Sequence, residues 1–226
     1  MEKIKYIDDN KHQPFPIKQK GIHHCLCIGS TQSGKSKFLF KYFYENKRFF
    51  DYVIVFSCVA KDDQEQGDMD YSFTKYLKDD YSPELLQKIY LCQKNKKKKR
   101  PMIAIVFDDC NVNFNHDEFL NWLMPKARHY NINMFFSVQY FSMTSPQIRA
   151  NCDMVFITNI HGFSNRKQVF DYISHYFHDN IREFYDLLEV NKKTYDVLLF
   201  NKNKKDNDEN IYVYHYDYLR IPKFKI

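Results

Sequence analysis

The densest chemical pattern in the chain is Gly29-Ser30-Thr31-Gln32-Ser33-Gly34-Lys35-Ser36. Glycine at both ends of a polar spacer lets the backbone turn until its N–H groups face one point. Lys35 then supplies a full positive charge and Ser36 a hydroxyl. This is the spacing G-x-x-x-x-G-K-[ST], and each residue type has a use against a nucleoside triphosphate. Backbone N–H groups and a helix N-terminus surround the phosphates, Lys35 neutralises the β- and γ-phosphates, and Ser36 turns its hydroxyl to Mg²⁺. The expected nucleotide-binding set is Gly29, Ser30, Thr31, Gln32, Ser33, Gly34, Lys35, Ser36 and Lys37, with ATP and Mg²⁺ as cofactors.

A phosphate loop also needs a carboxylate at the end of another strand to orient the metal through water. "MIAIVFDDC", Met102 to Cys110, ends an apolar run in Asp108-Asp109. Asp108 is the expected metal partner of Ser36. Asp109 stands where hydrolytic P-loop enzymes of the additional-strand type carry the carboxylate that polarises the attacking water. The plainer reading, that two aspartates merely close a strand, is outweighed by the glycine loop upstream.

The elements that must position these residues follow from periodicity. Residues 24–28 and the β-branched run "DYVIVFS", Asp51 to Ser57, suit buried parallel strands. The latter puts at least one strand between loop and carboxylates in the sequence, as the additional-strand type requires. Phe38, Leu39, Tyr42 and Phe43 fall on one helical face, giving a helix from Lys35 to about Asn46. Ser82-Pro83-Glu84 opens a helix to about Lys94 with an N-cap, a proline at the first position and an acid in the first turn. Further strands are expected in "PMIAIVFDDC", in "NINMFFSVQY" and in "CDMVFITN", with a helix around Phe119 to Met124 that Pro125 breaks or restarts. Ser164 is expected to cap a helix bearing Val169, Phe170, Ile173, Tyr176 and Phe177 on one face, followed by a helix from Ile181 to Glu189. "YDVLLF" and "IYVYHY", joined by the polar stretch 202–210, read as a closing hairpin.

The fold class is therefore α/β: an additional-strand (RecA-like) P-loop NTPase with an open, mostly parallel sheet, helices on both faces and a C-terminal β-hairpin. Ligands of such sheets bind at the carboxyl ends of the strands. Residues 1–21, polar and containing Pro14 and Pro16, read as an N-terminal arm, with residues 22–226 as a single domain. Residues 59–81 are polar and acidic and read as the least ordered part of the middle.

Composition narrows the classes. The 226 residues carry a net charge of +6, but 28 acidic residues accompany 34 basic ones, so polyanion binding is permitted rather than dictated. Six scattered cysteines without a C-x-x-C pair suggest reduced, buried thiols in an intracellular protein. No apolar run reaches the ~20 residues of a membrane span. Lys96 to Arg100 suits contact with DNA phosphates, a nuclear-localisation cluster or a solvated linker equally well.

The order of features from Ala127 to Ile157 is more specific. An Arg-containing turn at Arg128, a strand ending at Gln139 and the segment Ile148-Arg149-Ala150-Asn151 resemble the FtsK–HerA superfamily of DNA-pumping ATPases. Within it, the compact size, the Asp-Asp pair and the "RHYNI" turn resemble the genome-packaging ATPases of poxviruses, other large DNA viruses and virophages. Tyr140-Phe141 stand where Arg-Pro is common after the glutamine, and Asp109 replaces the usual Glu. The resemblance spans about Ile22 to Phe200. It implies a homo-oligomeric ring, a pentamer or hexamer, that threads double-stranded DNA into viral capsids and works in the viral factory of the host cytoplasm or in the virion. It also implies that Gln139 senses the γ-phosphate and that Arg128 is a finger reaching a neighbour's nucleotide, with Arg149 as the alternative finger or a coupling residue. Two rival readings are a P-loop nucleoside or nucleotide kinase, which would usually bring a four-cysteine zinc lasso, and a non-catalytic nucleotide-binding partner protein.

Overall fold

A computed structural model describes residues 4–11, 15–16, 21–60, 71, 73–110, 112–190, 196–202, 211–216, 221 and 224–226. Nine described strands form one sheet: β1 (Ile4–Asp8), β2 (Cys25–Ile28), β3 (Tyr52–Phe56), β4 (Tyr76–Lys78), β5 (Ile103–Asp108), β6 (Ile132–Val138), β7 (Met154–Ile157), β8 (Asp196–Asn201) and β9 (Ile211–His215). Their spatial order is β1-β9-β8-β7-β2-β6-β5-β3-β4. Every described pairing is parallel except those of β8 with β7 and β9, so β8 alone runs against the rest. The expected open, mostly parallel sheet and closing hairpin are both present. Most of the turn between the two hairpin strands, 203–210, lies outside the described residues.

The additional strand is β6, which separates β2 from β5. The expectation had rested on 51–57, but β3 lies on the far side of β5. The strand that creates the gap comes later in the chain, where sequence order does not reveal it.

Six described α-helices accompany the sheet: α1 (Lys35–Glu45), α2 (Pro83–Asn95), α3 (Glu118–Leu123), α4 (Pro146–Asn151), α5 (Phe163–Ile173) and α6 (Ile181–Val190). Ser82 Oγ accepts the Leu85 N–H at 3.2 Å and caps α2 as expected. Asp117 caps α3 and Ser145 caps α4 in the same way. Ser164 does not cap α5. The helix begins two residues earlier than expected, with Gly162 at φ 83° as its N-cap, and Ser164 lies in its first turn.

The two faces are covered unequally. Helices α2 to α6 pack on the face carrying Leu26, Ile105, Phe136 and Val155, while α1 packs on the face carrying Cys27, Val106, Phe135 and Phe156. The one described helix on that face is eleven residues long, against a nine-stranded sheet. Aromatic side chains from both ends of the chain complete that face: Phe15 meets Tyr42 and Tyr214 at 6.0 and 5.3 Å, and Phe224 meets Phe40 at 5.1 Å. Of residues 1–21, expected to form an arm, the described residues 4–11, 15–16 and 21 include positions that join the sheet and its core. Their strand β1 pairs with β9, and Ile7 and Phe15 are buried. Of the stretch expected to be least ordered, β4 pairs with β3, and 61–70 lies outside the described residues.

Cys25, Cys27, Cys110 and Cys152 are buried, as expected, but Cys58 and Cys92 are exposed. No described helix is long and apolar enough to cross a membrane.

Candidate nucleotide site

The loop from Gly29 to Ser36 joins the end of β2 to the start of α1 at the carboxyl edge of the sheet. Gly34 takes φ 91°, a left-handed turn that suits glycine, and α1 opens on it with no side-chain cap. That leaves the helix's positive end to the loop. Gly29 is required for a different reason. A Cβ there would sit 1.8 Å from Thr158 Oγ1 and 2.5 Å from Ser33 Oγ. The loop is thus pressed against the segment after β7, and Ser33 Oγ and Thr158 Oγ1 share a hydrogen bond of 2.6 Å. Ser30 N–H donates to Asn159 O, and Ser30 Oγ accepts the His161 N–H, both at 2.8 Å.

Because β6 separates β2 from β5, Gln139, Asp108 and the loop converge at one edge. Ser36 Oγ donates to Asp108 Oδ1 at 3.1 Å. Lys35 is buried, donates to Ser30 O at 3.0 Å and lies 3.8 Å from Asp109 Oδ1. Asp109 Oδ1 is itself buried and accepts no hydrogen bond. Gln139 Oε1 accepts from Thr31 Oγ1 at 3.2 Å. Asp109 also occupies the left-handed region, at φ 46°, where the strand turns away.

Two carboxylates crowd one another at this edge. Burial, and next the Asp109 carboxylate beside it, push the Asp108 carboxyl above its ordinary range, against hydrogen bonds from Tyr71 and Ser36. Two adjacent carboxylates in a water-poor edge, one aimed at a serine hydroxyl, match what a hard divalent ion takes. The expected set for Mg²⁺, Ser36 and Asp108, fits that ion.

Two expected residues lie apart from this cluster. Arg128 sits in the turn before β6, at the amino edge of the sheet, and its guanidinium meets Asp153 Oδ2 at 2.8 Å and Asn151 O at 2.7 Å. Arg149, on α4, donates to the carbonyls of Phe141 and Thr144. It also lies over the Phe141 ring at 4.6 Å and lines an open cleft of about 430 Å³ with Asn115, Gln168 and Tyr172.

The structure adds three groups that sequence reasoning did not single out. Tyr71 OH donates to Asp108 Oδ2 at 2.8 Å, so the hydroxyls of Tyr71 and Ser36 hold both oxygens of that carboxylate. Tyr216 OH donates to Gly34 O at 2.9 Å, tying the chain just after β9 to the loop. Cys58 Sγ donates to Asp109 O at 2.8 Å. None of the three belongs to a local motif, so no sequence signal marks them.

No family model matches the chain. A relative from Frog virus 3 (isolate Goorha), the uncharacterized protein 015R, is 26% identical over 140 residues, covering 58% of this chain and 42% of its own length. The chain therefore spans less than half of that relative. Among solved structures, the genome-packaging NTPase B204 of Sulfolobus turreted icosahedral virus 2, in complex with ATP-γS, superposes with a TM-score of 0.60 at 17% identity. The match covers 88% of this chain and 98% of that one. The DNA-packaging ATPase B204 of Sulfolobus turreted icosahedral virus gives 0.61 at 17% identity over the same shares. The pCW3 conjugation coupling protein TcpA, with ATP-γS, gives 0.56 at 15% identity, covering 87% of this chain and 61% of that one. At these identities the shared property is the fold, the mostly parallel α/β sheet with helices that these ATPases also carry.

Proposed function

We propose that the protein is a Mg²⁺-dependent ATPase that assembles into a ring and drives double-stranded DNA into viral capsids. The observation that carries the reading is the convergence of Lys35, Ser36, Asp108, Asp109 and Gln139 at the carboxyl ends of β2, β5 and β6. A kinase would need a phosphate acceptor site beside these residues, whereas the pair Asp109 and Gln139 suits water as the acceptor. The likeness in fold to B204 and the relative in Frog virus 3 support the viral packaging role. By that role the protein works in the viral factory of the host cytoplasm or in the virion, with capsid components as partners.

Each residue has a defined task. The loop N–H groups and Lys35 bind the triphosphate, and Lys35 exchanges its present contacts with Ser30 O and Asp109 for phosphate oxygens. That exchange frees Asp109 to accept a hydrogen bond from the attacking water and take its proton. Ser36 and Asp108 would hold Mg²⁺, which when bound neutralises charge on the phosphate oxygens. Gln139, hydrogen-bonded to Thr31 of the loop, is placed to sense the γ-phosphate and pass its presence to β6. Arg128, or else Arg149, serves a neighbour's nucleotide.

The test is ATP turnover by purified protein with and without duplex DNA, with Lys35→Ala as the control. The expected result is turnover stimulated by duplex and abolished by Lys35→Ala. Turnover that survives Lys35→Ala sinks the ATPase reading, and turnover indifferent to duplex sinks the translocase.

A further inference from the structure

We propose that the surface made by the C-terminal end of α2, residues 96–100 and the turn 126–130 binds the phosphate backbone of duplex DNA. The proposal rests on the translocase reading and locates its DNA contact away from the nucleotide. No Asp or Glu occurs from Leu85 to Phe107 or from Phe119 to Cys152, although the chain has 28 acidic residues. Lys94 and Lys96 to Lys99 project from this surface and are exposed. The neighbouring carboxylates are engaged elsewhere: Asp51 accepts the Met102 N–H at 2.6 Å, and Asp153 holds Arg128. A lysine or two near a helix C-terminus offsets its dipole, but a run of four further lysines exceeds that need and repels itself until a polyanion arrives.

The cations lie on an aromatic floor. Tyr90 meets Trp122 at 5.4 Å and Tyr130 at 5.0 Å, and Phe119 stacks on Trp122 at 5.6 Å. Lys126 Nζ lies 3.5 Å above Trp122, Arg100 lies 5.5 Å from Tyr130, and Lys94 lies 5.7 Å from Tyr90. Arg100 is also fixed by the carbonyls of Gln93 and His129 at 2.9 and 3.1 Å. Cations held over rings keep their stems ordered, so less entropy is lost when they meet phosphate. Trp122 is itself 45% exposed, available to the apolar sugar edge of a backbone.

This surface flanks the amino ends of β5 and β6, whereas the phosphate loop follows the carboxyl end of β2, the neighbour of β6. A six-residue strand puts about 20 Å between the two edges. DNA contact and nucleotide contact are thus separable by mutation.

Trp122 is the sole tryptophan of the chain, so its fluorescence reports on this surface directly. Titrating a short duplex of mixed sequence into the wild-type protein, and into Lys35→Ala, is expected to change that fluorescence saturably in both, with salt reversing the change. The quadruple variant K96Q/K97Q/K98Q/K99Q is expected to bind duplex about tenfold or more weakly and to lower the salt slope by about 3 to 4. Its DNA-free ATP turnover should stay unchanged. Wild-type binding with an equally tight quadruple variant would overturn the surface and leave the translocase reading standing. Absence of duplex binding by the wild type at low salt sinks both. A variant whose assembly mass changes while its duplex affinity does not makes this face a contact between subunits, and the proposal fails.

Discussion

Asp108 shows how a single side chain is set for its task. Its Oδ1 takes the Ser36 hydroxyl and its Oδ2 the Tyr71 hydroxyl, so the carboxylate cannot rotate without losing one of them. Tyr71→Phe removes one hydroxyl and keeps the buried ring. The expected outcome is a folded protein whose ATP affinity measured in EDTA is unchanged. Its Mg²⁺-dependent gain in affinity should be reduced by about tenfold or more, in line with the ~1.5–3 kcal/mol of a hydrogen bond to a charged group. Equal Mg²⁺ dependence in variant and wild type would leave Tyr71 a packing residue. Lys35, Ser36, Asp108 and Asp109 were legible in the sequence because each belongs to a short motif whose spacing is set by the ligand. Tyr71, Thr158 and Tyr216 were not legible, because they reach the site from 37, 125 and 182 residues away from their partners. Nothing local requires a tyrosine or a threonine there.

Strands and helices were read best where burial on both faces leaves one reading of the pattern. β2, β5 and β6 are buried at every position, and they read as apolar runs broken only by Asn133 and Ser137 in β6 and closed by Asp108 in β5. β1 and β4 were missed because they are edge strands with alternating or exposed residues, which resemble polar loop in isolation. Their places depend on partners far along the chain, β9 for β1 and β3 for β4. The entry to β2 carries a testable weakness. His24 is fully buried beside the strand, accepts the Met134 N–H on Nδ1 at 3.1 Å, and must stay neutral to do so. Burial first, and the Arg128 guanidinium next, lower its pKa from 6.5 to about 3. A histidine depressed in the folded state gains its proton on unfolding, so stability is full above about pH 6.5 and falls as pH drops toward 3. The slope this adds is at most about 1.4 kcal/mol per pH unit. Urea unfolding of wild type and His24→Gln across that window measures it. Glutamine should remove the added slope, and identical slopes would assign the acid lability to other groups.

At the scale of the whole molecule, the proposed ring requires that one subunit touch another's nucleotide. Arg128 cannot serve its own phosphate loop, since it lies at the amino edge while the loop lies at the carboxyl edge. It is also engaged: its guanidinium clasps Asp153 and the Asn151 carbonyl, joining the turn before β6 to the residues before β7. A brace and a finger make different demands. A brace needs a positive charge opposite Asp153, which lysine supplies. A finger needs a planar, bidentate fork against phosphate, which lysine lacks. Arg128→Lys therefore separates the two roles where Arg128→Ala would confound them, because alanine leaves the buried Asp153 without its cation and costs about 3 kcal/mol of fold stability. If Arg128 is the finger, Arg128→Lys should unfold near the wild-type temperature and bind ATP normally. It should still lose about 10³-fold in turnover. Mixed with wild-type subunits, it should also lower turnover by more than its share of the mixture. Turnover in strict proportion to the wild-type fraction would confine Arg128 to the brace and pass the finger role to Arg149. That residue lines an open cleft and has no carboxylate clasping it among the described hydrogen bonds and ion pairs, so it can move without an ion pair being broken.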